Sequence, residues 1–228
     1  MCGRYTQTRG TPEVRRHFAA VGPVEDFPPR YNIAPQQNAL VVVKHGRRIL
    51  QPMRWGLVPF WAKEEAIGSS LINARSETLA VKPAFRNALQ SQRCLVPADG
   101  FYEWIKPGRI RQPVRFVLKS GGLFAFAGLW DRWQGLGGVP LETFTILTTA
   151  ANPLIRQVHD RMPVIVSSDE YESWLADTFD LGDLERFRTP WPAEMMDSYP
   201  VSPAINRPGL DTPDCIKPHS DRQQELAF

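Results

Sequence analysis

At 228 residues and 25.8 kDa, with 43% hydrophobic and 22% charged residues, the chain has the composition of one large or two small globular domains. Three cysteines do not make a disulfide scaffold at this length, no apolar run reaches the ~18 residues of a membrane helix, and MCGRYTQTRG lacks the apolar stretch of a signal peptide, so a reducing cytoplasm is expected. A net charge of +3 does not announce nucleic acid, and the bias of 21 Arg over 6 Lys fits phosphate recognition and a GC-rich genome equally.

In chain order, residues 12–20 predict a short helix with Pro12 near its start, and 28–37 (PPRYNIAPQQ) an extended loop. Residues 38–44 and 47–53 predict two strands around the His45-Gly46 turn. The stretch 54–63 is aromatic and broken by Pro59, and 82–91 has helical spacing. Strands are expected over 93–98 and 100–106, then a Pro107-Gly108 turn. Strands 113–119 and 123–133 are expected to pair across Ser120-Gly121-Gly122. A strand over 143–149, helices over 151–159 and 167–178 and a last strand over 199–205 follow. Strands joined by short turns predict an α+β fold: a curved, mostly antiparallel, barrel-like sheet with peripheral helices. No composition shift marks a linker, so a single domain over 1–206 and a loose, Pro-rich polar tail over 207–228 are expected.

The sharpest chemistry lies at the start. Cys is small enough for Met1 to be removed, which would leave Cys2 with an α-amine and a thiol on adjacent carbons. An α-amine of pKa near ~7.7–8.0 is partly neutral at pH 7 and attacks aldehydes. The thiol can then close a five-membered thiazolidine on the same carbon. Alternatively the amine serves as base for the thiol, the N-terminal nucleophile arrangement. A buried, inert cysteine is the third reading. Cys94, inside RCLVPA, reads as core; Cys215 near His219 fits no zinc spacing.

Other residues read two ways. Asn73 and Arg75 share a face if LINARSE is extended, or cap the following SETLA segment. Glu103 sits among Phe101, Tyr102 and Trp104, where lost solvation would suit a general acid; it could equally be an exposed strand residue. His159 suits proton shuttling or a structural helix end, and shares a face with Arg161 if the extension before Pro163 reaches back. Gly3 would let a nucleic-acid backbone approach, and Arg4, Arg75 and Arg161 could form a cradle with a salt slope of roughly −2, or be solvated charges. Phe60 and Trp61 lie in a Pro-interrupted loop where rings can stack on bases; Trp104, Trp130 and Trp174 read as core.

Taken together, MCGRY, RYNIAP, RWGLVPFWAK, INARSET, RCLVPADGFYEW, AGLW and HDRMPVIV occur in the order found in the SRAP family, which the chain resembles from Cys2 to about Asn206. That family was first labelled an SOS-response-associated peptidase and is now understood as abasic-site processing proteins. The resemblance implies a sensor that crosslinks abasic sites in single-stranded DNA through Cys2 and shields the lesion; crosslink reversal, lyase and autoproteolytic activities are attributed to some members. It implies that Asn73 holds the sugar near the cysteine, that Glu103 assists ring opening, and that His159 shuttles protons, with Asp160 orienting or pairing. Arg75 and Arg161 would hold phosphate. Trp61 and the Ala34-Pro35 step would contact bases, with Phe60 where many relatives carry a second Trp; Asn32 is carried over with them. A nucleoid-associated monomer is expected, with no metal, no cofactor and no membrane. MCG also opens class II glutamine amidotransferase domains, but RYTQTRG does not continue that pattern. A peptidase acting on other proteins and a noncatalytic reader of modified bases remain as alternatives.

Overall fold

The computed structural model describes residues 2–22, 26–105, 111–135 and 138–219. The expected strand at Lys106 and the Pro107-Gly108 turn lie outside these residues, as does the tail from 220 onward. Thirteen strands are present among the described residues: β1 Arg4–Gln7, β2 Arg30–Ile33, β3 Asn38–His45, β4 Arg47–Trp55, β5 Asn73–Arg75, β6 Arg93–Ala98, β7 Gly100–Ile105, β8 Gln112–Leu118, β9 Phe124–Gln134, β10 Pro140–Ala150, β11 Arg161–Pro163, β12 Ile165–Val166 and β13 Met196–Pro200. The helices are α1 Thr11–Phe18, α2 Pro83–Ser91, α3 Tyr171–Trp174 and α4 Leu184–Arg188, with several 3₁₀ turns.

The strands make two sheets. In one, the order β10-β4-β3-β6-β9 closes back on β10 through an antiparallel β9–β10 pairing, giving a five-stranded barrel. The other is an open five-stranded sheet, β13-β8-β7-β1-β2. Period-two alternation on the barrel strands feeds two cores. On β3, Leu40 and Val42 pack with Val14 and Phe18 of α1, Phe85 of α2, and Trp174 of α3. The intervening Ala39, Val41 and Val43 join Tyr5, Phe101 and Phe116 from the open sheet. The expected fold class therefore holds.

Several local expectations do not. Strands 113–119 and 123–133 form no hairpin: β8 lies between β7 and β13, while β9 is taken up by β6, β10 and β12. With both strands fully partnered elsewhere, the chain passes from one sheet to the other at Ser120-Gly121-Gly122. The loop 28–37 contains β2, a short strand between Pro29 and Pro35 that pairs with β1. The helix at 151–159 shrinks to a 3₁₀ turn, Ile155–Gln157, because the chain folds back into β11 through the Asp160 carbonyl and the Ala151 amide. At 167–178 only Ser168–Trp174 is helical, and the Ser167 hydroxyl turns to Asp169 rather than capping a backbone amide. The last strand sits earlier, at Met196–Pro200. Trp104 and Trp130 are only partly buried, unlike Trp174.

The tail is the largest revision. Residues 201–219 cross the outer face of the open sheet as a strap. Asp211 accepts from the backbone amides of Tyr31 and Asn32 and pairs with Arg30. Tyr102 Oη donates to the Tyr31 carbonyl, and Cys215 is buried beside it. Polar side chains seizing backbone groups, rather than apolar periodicity, order this segment. Asp211→Ala strips a charged acceptor from two β2 amides and Arg30, and should lower the unfolding free energy by about 2–3 kcal/mol in urea denaturation.

Candidate functional site

Cys2 lies just before β1 and is fully buried. Its carbonyl accepts a 2.8 Å hydrogen bond from Asn73 Nδ2, which places β5 against the chain's first residues. Its thiol points toward the Arg4 carbonyl at 3.6 Å. Burial, and next the nearby Glu103 carboxylate, push the thiol well above the ordinary cysteine range. The surroundings thus favour the protonated thiol.

Glu103 is only 3% exposed. On β7 it follows Phe101 on the inner face, while Tyr102 and Trp104 face outward under the strap. Arg4 is opposite Tyr102, so the chain arriving from Cys2 runs beside Glu103. Among the described residues no donor reaches the buried Asn73 Oδ1, leaving an acceptor at the cysteine for a ligand hydroxyl.

Asn73 and Arg75 occupy alternate positions of β5, paired with Ile146 and Thr148 of β10, and Thr148 lies opposite Pro163 of β11. His159 stands at the entrance to β11. Its Nδ1 accepts from the Arg161 amide at 3.0 Å and lies at the same distance from Asp160 Oδ1.

A groove of about 520 Å³ runs from this corner, lined by Trp61, Asn73, Arg75, Lys82 and Phe85. Phe60 and Trp61 are 54% and 47% exposed. Their loop is pinned by its backbone: Phe60 N donates to Asp131, and the Ala62 carbonyl accepts from Trp133. Gly56 and Gly68 allow the segments flanking that loop to touch, since a Cβ on Gly68 would fall 2.6 Å from the Gly56 carbonyl oxygen.

The structure thus brings Cys2, Asn73 and Glu103 together, and Arg75 and Trp61 into one groove. Other expected ligands are engaged within the protein. Arg4 donates to Asn32 Oδ1 and the Ile205 carbonyl, both at 2.8 Å. Asn32 is fully buried and gives its amide to the Leu210 carbonyl at 2.7 Å. Arg161 makes a two-pronged pair with Glu77, at 2.6 and 2.9 Å, and bonds the Thr148 carbonyl. Pro35 is half-buried where β2 ends. Lys82 was not expected here; placed at the start of a helix by its spacing, it meets Arg75 only through tertiary packing.

The sequence matches the profile of the SOS response associated peptidase (SRAP) family over residues 1–208. The chain belongs to the SRAP family. It is 42% identical over 224 residues to the abasic site processing protein YoqW of Bacillus subtilis, covering 96% of this chain and 100% of that one. It is 33% identical over 262 residues to the chicken abasic site processing protein HMCES, covering 96% and 78%. A crystal structure of a Bacteroides thetaiotaomicron protein superposes with a TM-score of 0.89 at 26% identity, over 96% of this chain and all of the other. The SRAP match takes in Ile205 and Asn206 of the strap and stops short of Asp211. Among the described residues of this SRAP chain, no helix is long and apolar enough to cross a membrane, and no group of three His, Cys, Asp or Glu side chains is arranged to hold a metal.

Proposed function

We propose that this SRAP protein captures abasic sites in single-stranded DNA as a thiazolidine on Cys2, after Met1 is removed. The convergence of Asn73 and Glu103 on Cys2 carries this reading. Its relative YoqW, 42% identical, is an abasic site processing protein, which supports it.

The α-amine of Cys2 attacks the C1′ aldehyde of the ring-opened sugar, and the carbinolamine loses water to give a Schiff base. The thiol then adds across the C=N bond: sulfur bonds C1′ and the thiol proton passes to nitrogen. The sum is aldehyde plus aminothiol giving thiazolidine and one water. Glu103, ionised beside the thiol, takes the C1′ hydroxyl proton as solvent protonates O4′ and the sugar ring opens. It then gives that proton to the hydroxyl that leaves as water, while the nitrogen's proton passes to solvent. Asn73 holds the cysteine backbone and receives a sugar hydroxyl. His159 relays protons. Trp61 stacks on a neighbouring base and Arg75 pairs with phosphate. A thiolate-first hydrolase is disfavoured, because reactive cysteines sit in electropositive surroundings and this thiol is buried beside a carboxylate.

Incubation with a single-stranded oligonucleotide carrying one abasic site should give a band on a denaturing gel that survives heating. An undamaged strand should give none. Equal adducts from both strands would refute the reading.

Arg75 and Lys82 line the groove, whereas Arg4 and Arg161 are held by protein partners. Changing Arg75 and Lys82 together to Ala should flatten the log–log salt dependence of strand binding by about 1.4, the value for two single-strand phosphate contacts. Fluorescence anisotropy across a salt series measures it, and an unchanged slope would place the phosphates elsewhere.

A further inference from the structure

We infer that strap residues 205 and 206 set where Cys2 and Glu103 stand relative to each other, which makes Asn206 a positioning residue for the crosslinking step; the inference rests on the abasic-site reading above. β1 and β7 are antiparallel neighbours, with Arg4 opposite Tyr102 and Tyr5 opposite Phe101. The inner face of this pair presents Tyr5, Phe101 and Glu103 toward the core that holds Cys2. The outer face presents Arg4 and Trp104 to the strap. Arg4 comes two residues after Cys2, and Trp104 directly follows Glu103.

Two consecutive strap residues hold those two side chains. The Ile205 carbonyl accepts from Arg4 Nη1 at 2.8 Å, and Asn206 Oδ1 accepts from Trp104 Nε1 at 2.6 Å. The Arg4 guanidinium also lies 6.0 Å from the Trp104 ring centroid, so the two held groups meet each other. Asn206 Nδ2 reaches on to the Arg111 carbonyl, just before β8, at 3.2 Å. The grip is itself anchored, because Asn32 Nδ2 donates to the Ile205 and Leu210 carbonyls and Asp211 holds the β2 amides. A shift at 205–206 therefore reaches both reactive strands together. Asn206 is exposed, so replacing it opens no cavity.

Proton transfer tolerates little displacement: about 1 Å of misplacement can cost 10²-fold in rate. The test is single-turnover crosslinking to an abasic single strand by Asn206→Leu and Asn206→Asp, each also made in a Glu103→Gln background, with strand affinity measured alongside. Asn206→Leu should crosslink about tenfold more slowly at unchanged affinity. Asn206→Asp, which keeps the acceptor for Trp104, should run near the wild-type rate. Trp104→Phe, which removes the donor but keeps a ring under Arg4, should slow the reaction as Asn206→Leu does. In the Glu103→Gln background Asn206→Leu should make no further difference, because the carboxyl it positions is gone. An unslowed Asn206→Leu, or the same slowing with Gln at position 103, overturns the inference. A wild type that forms no adduct overturns the functional reading and this inference with it.

Discussion

Cys2→Ala should abolish the heat-stable adduct while leaving a weaker one that only hydride reduction can fix. Alanine at position 2 keeps the α-amine once Met1 is gone, so a Schiff base still forms at C1′. It cannot be closed, and it hydrolyses back. A tethered thiol acts at an effective molarity of about 10⁵ M or more, so millimolar free thiol should not restore the adduct. The variant should stay folded, since losing one small buried side chain costs about 1 kcal/mol. Denaturing gels run with and without borohydride distinguish the steps. A heat-stable band of wild-type intensity from Cys2→Ala would show that another group carries the linkage.

Glu103→Gln should slow crosslinking by about 10²–10⁴-fold, the usual loss on removing a general acid, while strand affinity stays level. Glutamine keeps the shape and cannot give up a proton. A second readout is independent of DNA. The Glu103 carboxylate helps push the Cys2 thiol upward, after burial itself. Removing that charge favours the thiolate, so the thiol should ionise at lower pH in the variant than in the wild type. Thiolate absorbance during a pH titration reports it, with Cys94 and Cys215 changed to Ala in both proteins to leave one signal. A thiol titration that does not move would separate Glu103 from Cys2.

What could be read from residues alone followed the kind of force involved. The barrel strands were legible because β3, β6, β9 and β10 carry apolar residues dense enough to build two cores. The burial of Glu103 was legible from its aromatic neighbours, though an exposed strand position fitted the same string. The strap was not legible: its order comes from Asp211, Asn32 and Tyr102 bonding to backbone groups far away in sequence, which leaves no periodic trace. The false hairpin between β8 and β9 has a similar origin, since a three-residue Gly turn looks the same whether its strands pair or diverge into two sheets. Charge was the other blind spot. Arg4, Arg75 and Arg161 look alike in the sequence, yet Asn32 and Glu77 occupy the first and last, while Arg75 lines the groove with Lys82.

Intact mass spectrometry of the protein after incubation with an abasic single strand reaches the central claim most directly. The mass expected is the chain without Met1, plus one oligonucleotide, less one water, and this species should be missing from Cys2→Ala. An adduct on a chain that still carries Met1 or an acetylated amine, or one whose mass lacks the water loss, would contradict a thiazolidine at Cys2.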